Sequence, residues 1–156
     1  MRLARLLVPG SLGLAVALAA GIGHAQNVDA IKKRQEILSA MGKATKPVGA
    51  MLKGQAPFDL AVVQKAQKLY EESSPKLAPL FPDDSKTGKG HEDHETEALP
   101  ELWANKKDFE ERYAKLAADA KAAQSTITDE ISFQETFPKV AGNCGGCHKK
   151  YRKEQK

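Results

Sequence analysis

The chain has 156 residues, enough for one domain, with 41% apolar and 28% charged residues, an ordinary globular balance. Aromatics are few at 6%, while Ala, Lys, Glu and Leu are plentiful, so the composition leans helical. The formal charge of +4 falls to +2 if the segment carrying Arg2 and Arg5 is removed, and apart from the tail Lys149–Lys156 the basic residues are spread out, which leaves no argument for nucleic acid.

Residues 1–25 read as a secretory signal that is cleaved. Arg2 and Arg5 form the charged start, and Leu6–Ala20 is an apolar run interrupted by Pro9, Gly10 and Ser11. Gly23-His24-Ala25 offers small residues at the −3 and −1 positions of a cleavage site. The mature chain then starts at Gln26 and forms one domain over 26–156. The competing reading, a membrane anchor, needs a longer apolar stretch than this one. In a bacterium the mature protein is expected in the periplasm, with no membrane attachment after cleavage.

Four helical segments and no convincing strand follow. The first spans about 28–53, with Val28, Ile31, Leu38, Gly42, Thr45, Gly49 and Leu52 stepping by threes and fours around Gln35. Asn27 or Asp29 serves its N-terminus, Pro47 should kink or divide it, and Gly54 stops it. Asp59 caps a second helix over about 60–73, whose inner face is Val62, Val63, Ala66, Leu69 and Tyr70; Ser74-Pro75 ends it.

From Pro75 to Pro100 the chain is polar and turn-rich. His91-Glu92-Asp93-His94-Glu95 invites a metal reading, zinc or copper, but a histidine pair among carboxylates in a solvated loop is more often plain surface. The third helix covers about 101–124, with a seam of Phe109, Tyr113, Leu116, Ala120 and Ala123. Trp103 at its start packs near a cofactor or the loop, or is simple core.

The fourth helix starts near Thr126 or Thr128, either of which can cap it. Its stripe is Ile131, Gln134, Phe137, Ala141, Cys144, His148 and Tyr151, and Pro138 should bend it. Lys149, Lys150, Arg152 and Lys153 load its C-terminal end, where positive charge complements the helix dipole.

That last helix carries Cys144-Gly145-Gly146-Cys147-His148. C-x-x-C-H is the attachment signature of c-type haem. The thiols add across the two porphyrin vinyl groups, and the imidazole binds the iron from one face. Residues three and four apart share a helix face, so Cys144, Cys147 and His148 point the same way. Gly145 and Gly146 have no side chains to obstruct the ring. A structural zinc site wants four ligands; the chain has no third cysteine, and completing the set with His91 and His94 would be unusual. A thioredoxin-like C-x-x-C wants a βαβ context, which is absent from this reading. In a periplasmic protein two cysteines could pair with each other, but at this spacing and followed by His they read as haem thiols. Because the ligands lie on the core-facing seam, the haem is set into the bundle interior. Its two propionates would bring the mature charge near zero.

Four amphipathic helices with C-x-x-C-H on the last resemble the cytochrome c′ family, the class II c-type cytochromes, across essentially the whole mature chain, from Asn27 to Lys153. Several stretches carry the resemblance. Arg34-Gln35 is similar to the family's pair beside the haem, and Lys53-Gly54-Gln55-Ala56-Pro57-Phe58-Asp59 to its first turn. Leu99-Pro100-Glu101-Leu102-Trp103 is similar to the entry to its third helix. Asn143–Arg152 resembles the haem segment, including a basic residue four after the histidine. The resemblance implies an antiparallel four-helix bundle with one covalent haem c on Cys144 and Cys147 and His148 as axial iron ligand. It implies haem contacts from Arg34 and Gln35, with Arg34 pairing with a propionate, from Thr96 and Glu97, and from Arg152 on the proximal side. Homodimers through the first two helices are common in the family; the exposed face of helix 28–53 is Lys-rich, so the resemblance does not fix that assembly here.

Function turns on the sixth coordination position. The family's distal residue lies four after Arg34, which here is Leu38. Leucine cannot ligate iron, so the resemblance implies a five-coordinate, high-spin iron in a dry pocket that admits small gases such as NO and CO and undergoes one-electron redox. Low-spin members of the class place Met there and act purely as electron carriers with redox partner proteins. The nearest methionine is Met41, which fits the core better than the iron. Peroxidase-like catalysis needs a distal acid-base residue. None is placed there, so the expectation is a binding and carrier protein, not an enzyme.

Overall fold

A computed structural model of the chain describes residues 27–86 and 96–154. The expected signal segment 1–25 and the His91–His94 loop lie outside these residues. The helices are α1 Val28–Leu52, α2 Leu60–Leu77, a short α3 Glu101–Ala104, α4 Lys106–Thr126 and α5 Glu130–Tyr151, with 3-10 turns at Ala78–Leu80 and Asp83–Ser85.

The four long helices form an antiparallel bundle, and side-chain links fix their directions. Arg34 reaches Leu80 and Thr45 meets Tyr70, so α1 and α2 run oppositely. Gln124 donates to Glu71 while Phe109 packs on Phe81, so α2 and α4 do too. Tyr151 reaches Asp108 and Asn143 reaches Asp119, which reverses α5 against α4. α2 packs most extensively on α4, whereas the backbones of α1 and α5 come close at only a few positions. Among the described residues no strand forms; a single antiparallel bridge joins Ala98 to Arg152.

Local chemistry explains where the helices begin and end. The Asn27 side chain accepts from the Ala30 N–H at 3.0 Å, and the Asp59 carboxylate accepts from Ala61 and Val62 at 2.9 and 3.2 Å. α1 closes in a Schellman motif: Gly54 at φ 67° donates to the Met51 carbonyl, and Gln55 donates to Ala50. At α5, Asp129 accepts from the Ser132 N–H at 2.8 Å and Ser132 Oγ accepts from the Asp129 N–H at 3.1 Å, a capping box.

Several details differ from the sequence reading. Of the two outcomes expected at Pro47, a kink or a division, the division does not occur: α1 continues to Leu52. Ser74-Pro75 does not end α2: the helix runs to Leu77 because the buried Ser74 hydroxyl donates to the Tyr70 carbonyl at 2.6 Å and Leu77 is pulled into the core. The third segment is two helices, broken at Asn105, where φ −124° and ψ 42° leave the helical region. Asp129, not Thr126 or Thr128, caps α5. Finally, Ile131 is 73% exposed, and the buried seam of α5 runs through Phe133, Phe137, Val140 and Tyr151 instead. The seam of α1 is likewise rotated onto Ala30, Ile31, Arg34, Met41, Val48 and Met51, leaving Gly42 outside.

The core is layered along the bundle. At the end holding the α1–α2 turn, the rings of Phe58 and Phe137 each pack tilted against Phe133 with centroids 5.4 Å apart. At the other end Phe81, Phe109, Tyr113 and Tyr151 meet edge to face at 4.8–5.5 Å. Burying each of Phe109, Phe133 and Phe137 contributes roughly 1.5–3 kcal/mol of transfer free energy.

Candidate haem site

Cys144, Cys147 and His148 lie in the last two turns of α5, all half-buried, on the continuation of the seam that buries Phe133, Phe137 and Val140. Gly145 and Gly146 face outward. Both cysteines are free thiols that pack against the core. Burial raises both thiol pKa values, that of Cys147 to about 11 with Arg112 opposing, so neither is a thiolate at neutral pH. Burial, then Arg152, holds the His148 imidazole below its usual pKa, with Glu97 opposing. A neutral imidazole is the form that binds iron. Two half-buried thiols and an imidazole on one face of α5, where α1 comes close at only a few positions, fit a flat covalent cofactor.

The end of α5 is tied down on two sides. The segment before α3 runs beside it: Leu99 N–H donates to the Tyr151 carbonyl at 2.9 Å and Lys153 N–H to the Glu97 carbonyl at 2.8 Å. This brings Thr96, Glu97 and Arg152 together directly beyond His148. Thr96 is buried, its hydroxyl accepting from the Ala98 N–H at 3.1 Å, and the Glu97 carboxylate lies 3.9 Å from Arg152 Nε. On the other side Asp108 of α4 gathers the Tyr151 hydroxyl, Lys150 Nζ at 3.1 Å and Arg112 Nε at 2.8 Å.

Arg34 is 2% exposed. Its Nη1 donates to Ser85 Oγ at 2.8 Å and to the Leu80 carbonyl at 3.1 Å, and Nη2 donates to the Ser85 carbonyl at 3.3 Å. Its guanidinium stacks 4.3 Å from the Phe81 ring centre and 5.9 Å from that of Trp103. Burial lowers its pKa to about 10, so it stays charged at neutral pH, with no carboxylate partner shown among the described residues. Gln35, its neighbour, is exposed. Trp103 packs on the turn following α2, its indole N–H shared between the Phe81 and Pro82 carbonyls at 3.1 Å each.

On α1, Leu38 is half-buried and packs against the core, while Met41 is buried at 7% exposure. One turn further, Thr45 Oγ1 donates to the Met41 carbonyl at 2.8 Å, so the hydroxyl of Tyr70 donates to Thr45 across the 2.8 Å contact. Burial raises the pKa values of Tyr70 and Tyr113; both phenols lie within electrostatic reach of Cys144, and Tyr113 also of Cys147 and Arg34.

Sequence reasoning missed Asp108, Arg112, Tyr113 and Tyr70 as neighbours of the motif. The Asp108–Arg112 spacing of four was a readable signal for a pair on one helix face. Nothing in the linear pattern said that Tyr151 would close the cluster. Among the described residues no group of three or more His, Cys, Asp or Glu side chains is arranged to hold a metal ion, and no helix is long and apolar enough to cross a membrane.

The family model described as Cytochrome C′ matches residues 29–152. A cytochrome c′ of Rhodopseudomonas palustris is 50% identical over 137 residues, covering 88% of this chain and 90% of that protein. A cytochrome c-556 of the same organism is 30% identical over 127 residues, covering 81% and 85%. The solved structure of cytochrome c′ from Rhodopseudomonas palustris superposes with a TM-score of 0.76 at 49% identity, covering 82% of this chain and 98% of that one.

Proposed function

The chain belongs to the cytochrome c′ family and carries covalently bound haem c; from that premise we propose that it is an exported haem protein whose iron is held on one face and open to small gases on the other. The group supplies a one-electron Fe(III)/Fe(II) couple and an iron coordination site. In this reading Cys144 and Cys147 hold the porphyrin by thioether bonds and His148 ligates the iron. Arg152, Thr96 and Glu97 line the proximal end, and Arg34 and Gln35 approach the haem edge from α1. Residues 1–25 are the export signal, and the mature protein works in the periplasm without catalysing a reaction.

The observation that carries the open face is the state of α1. Leu38 offers only carbon toward the interior, and Met41, the nearest thioether, is committed to the core. A dry pocket lined by carbon disfavours water and anions and tolerates NO and CO. Electron paramagnetic resonance of the oxidised holoprotein tests this: a high-spin signal is expected, and a purely low-spin signal would overturn it.

The second reading is a six-coordinate carrier that only exchanges electrons with a redox partner protein. The likeness to a cytochrome c-556 and the place of Met41 one turn from Leu38 favour it. It would require Met41 to leave its packed position. A second copy docked through α1 and α2 is the assembly expected of the family, tested by sedimentation of the holoprotein.

A further inference from the structure

Arg112 stands on α4 opposite the attachment turn. Its Nη1 lies 3.6 Å from the place a Cβ on Gly146 would occupy. The guanidinium does not reach there by chance of rotamer. Asp108 grips it twice, through Nε at 2.8 Å and Nη2 at 3.4 Å, and it sits 5.8 Å from the Tyr151 ring centre. Its side chain is 33% exposed, so it is only partly screened by solvent. Its charge is felt at Cys147, where it opposes the larger effect of burial on the thiol. The Asp108 carboxylate is shared with Lys150 as well, so two cations meet one anion and the cluster is net positive beside the motif.

We propose that Arg112 sets the reduction potential of the haem: a guanidinium fixed against the Cys144–His148 turn favours the ferrous over the ferric state. The inference rests on haem attachment at Cys144 and Cys147. The step is the transfer of one electron from an electrode or redox partner to Fe(III), giving Fe(II); no covalent bond forms or breaks. Reduction removes one positive charge from the iron, so a nearby fixed cation makes it more favourable, and removing the cation makes it less so. Asp108 acts through Arg112 as a positioning residue, holding the fork in place while cancelling part of its charge.

The test is potentiometry of the haem-loaded protein as wild type, Arg112→Gln and Arg112→Lys, at low and high salt. Arg112→Gln is expected to lower the midpoint potential, by more at low salt than at high salt. Arg112→Lys keeps the charge and is expected to stay near wild type. The proposal is overturned if Arg112→Gln keeps the wild-type potential. It is equally overturned if Arg112→Lys shifts as far as Arg112→Gln, since packing and not charge would then be responsible. Peptide mass mapping of the same samples locates the haem on Cys144 and Cys147 independently. Failure of the attachment reading therefore shows as a mass and failure of the Arg112 inference as a potential.

Discussion

Arg34 and Ser85, 51 positions apart in sequence, meet at 2.8 Å in the interior, where the guanidinium donates to the serine hydroxyl. The serine hydroxyl in turn donates to the Pro82 carbonyl at 2.8 Å. This pair pins the N-terminal half of α1 to the turn after α2. Ser85→Ala leaves a buried guanidinium N–H without its acceptor and is expected to cost about 1–3 kcal/mol in urea unfolding. Arg34→Lys should not restore the fold's stability, because an ammonium cannot span Leu80, Ser85 and the Phe81 ring at once.

Asp108 gives the protein an acid-sensitive link between α4 and α5. Arg112 first, then Tyr151 and Lys150, hold its carboxyl well below the usual carboxylate range. Its folded-state pKa is therefore depressed relative to the unfolded chain. The stability it adds is fully present above the unfolded carboxylate pKa and is lost as pH falls through the folded one. Unfolding midpoints followed from neutral pH into the acid range should show wild type and Asp108→Asn converging at the acid end. Parallel curves would show that the Asp108 carboxylate does not add acid-sensitive stability.

Gln67 is fully buried on α2, and among the described residues neither its amide nitrogen nor its amide oxygen finds a partner. An unpaired buried amide costs more than the carbon that could replace it. Gln67→Leu, close in volume, is expected to raise the thermal midpoint or leave it unchanged. A clear loss of stability would mean that the amide is satisfied in the holoprotein.

Leu38 is the residue on which the open face depends. Leu38→Met places a thioether where the chain now offers only carbon. It is expected to convert the reduced spectrum toward low spin, raise the potential and abolish CO binding, since Met/His ligation is the carrier arrangement. Retention of the wild-type spectrum would mean that residue 38 does not face the iron.

Much of this was legible in the sequence because two signals are local. The spacing of Cys144, Cys147 and His148 is read within one turn and a half of helix, and the caps Asn27, Asp59 and Gly54 act on their own neighbours. The errors came where tertiary packing outweighed local preference. Ser74-Pro75 looks like a stop, yet Ser74 bonds back to Tyr70 and the helix continues. Ile131 fits a stripe by spacing, but the core selects Phe133, two residues on and larger. Arg34 was readable as important, while its grip on Ser85 and Phe81 depends on a turn that no periodicity announces.

The most direct measurement is the optical spectrum of the purified holoprotein, oxidised and dithionite-reduced, before and after adding CO. An open site over Leu38 predicts a high-spin reduced spectrum that shifts on adding CO. A low-spin spectrum with sharp α and β bands, indifferent to CO, would contradict it and leave Met41 or another side chain on the iron.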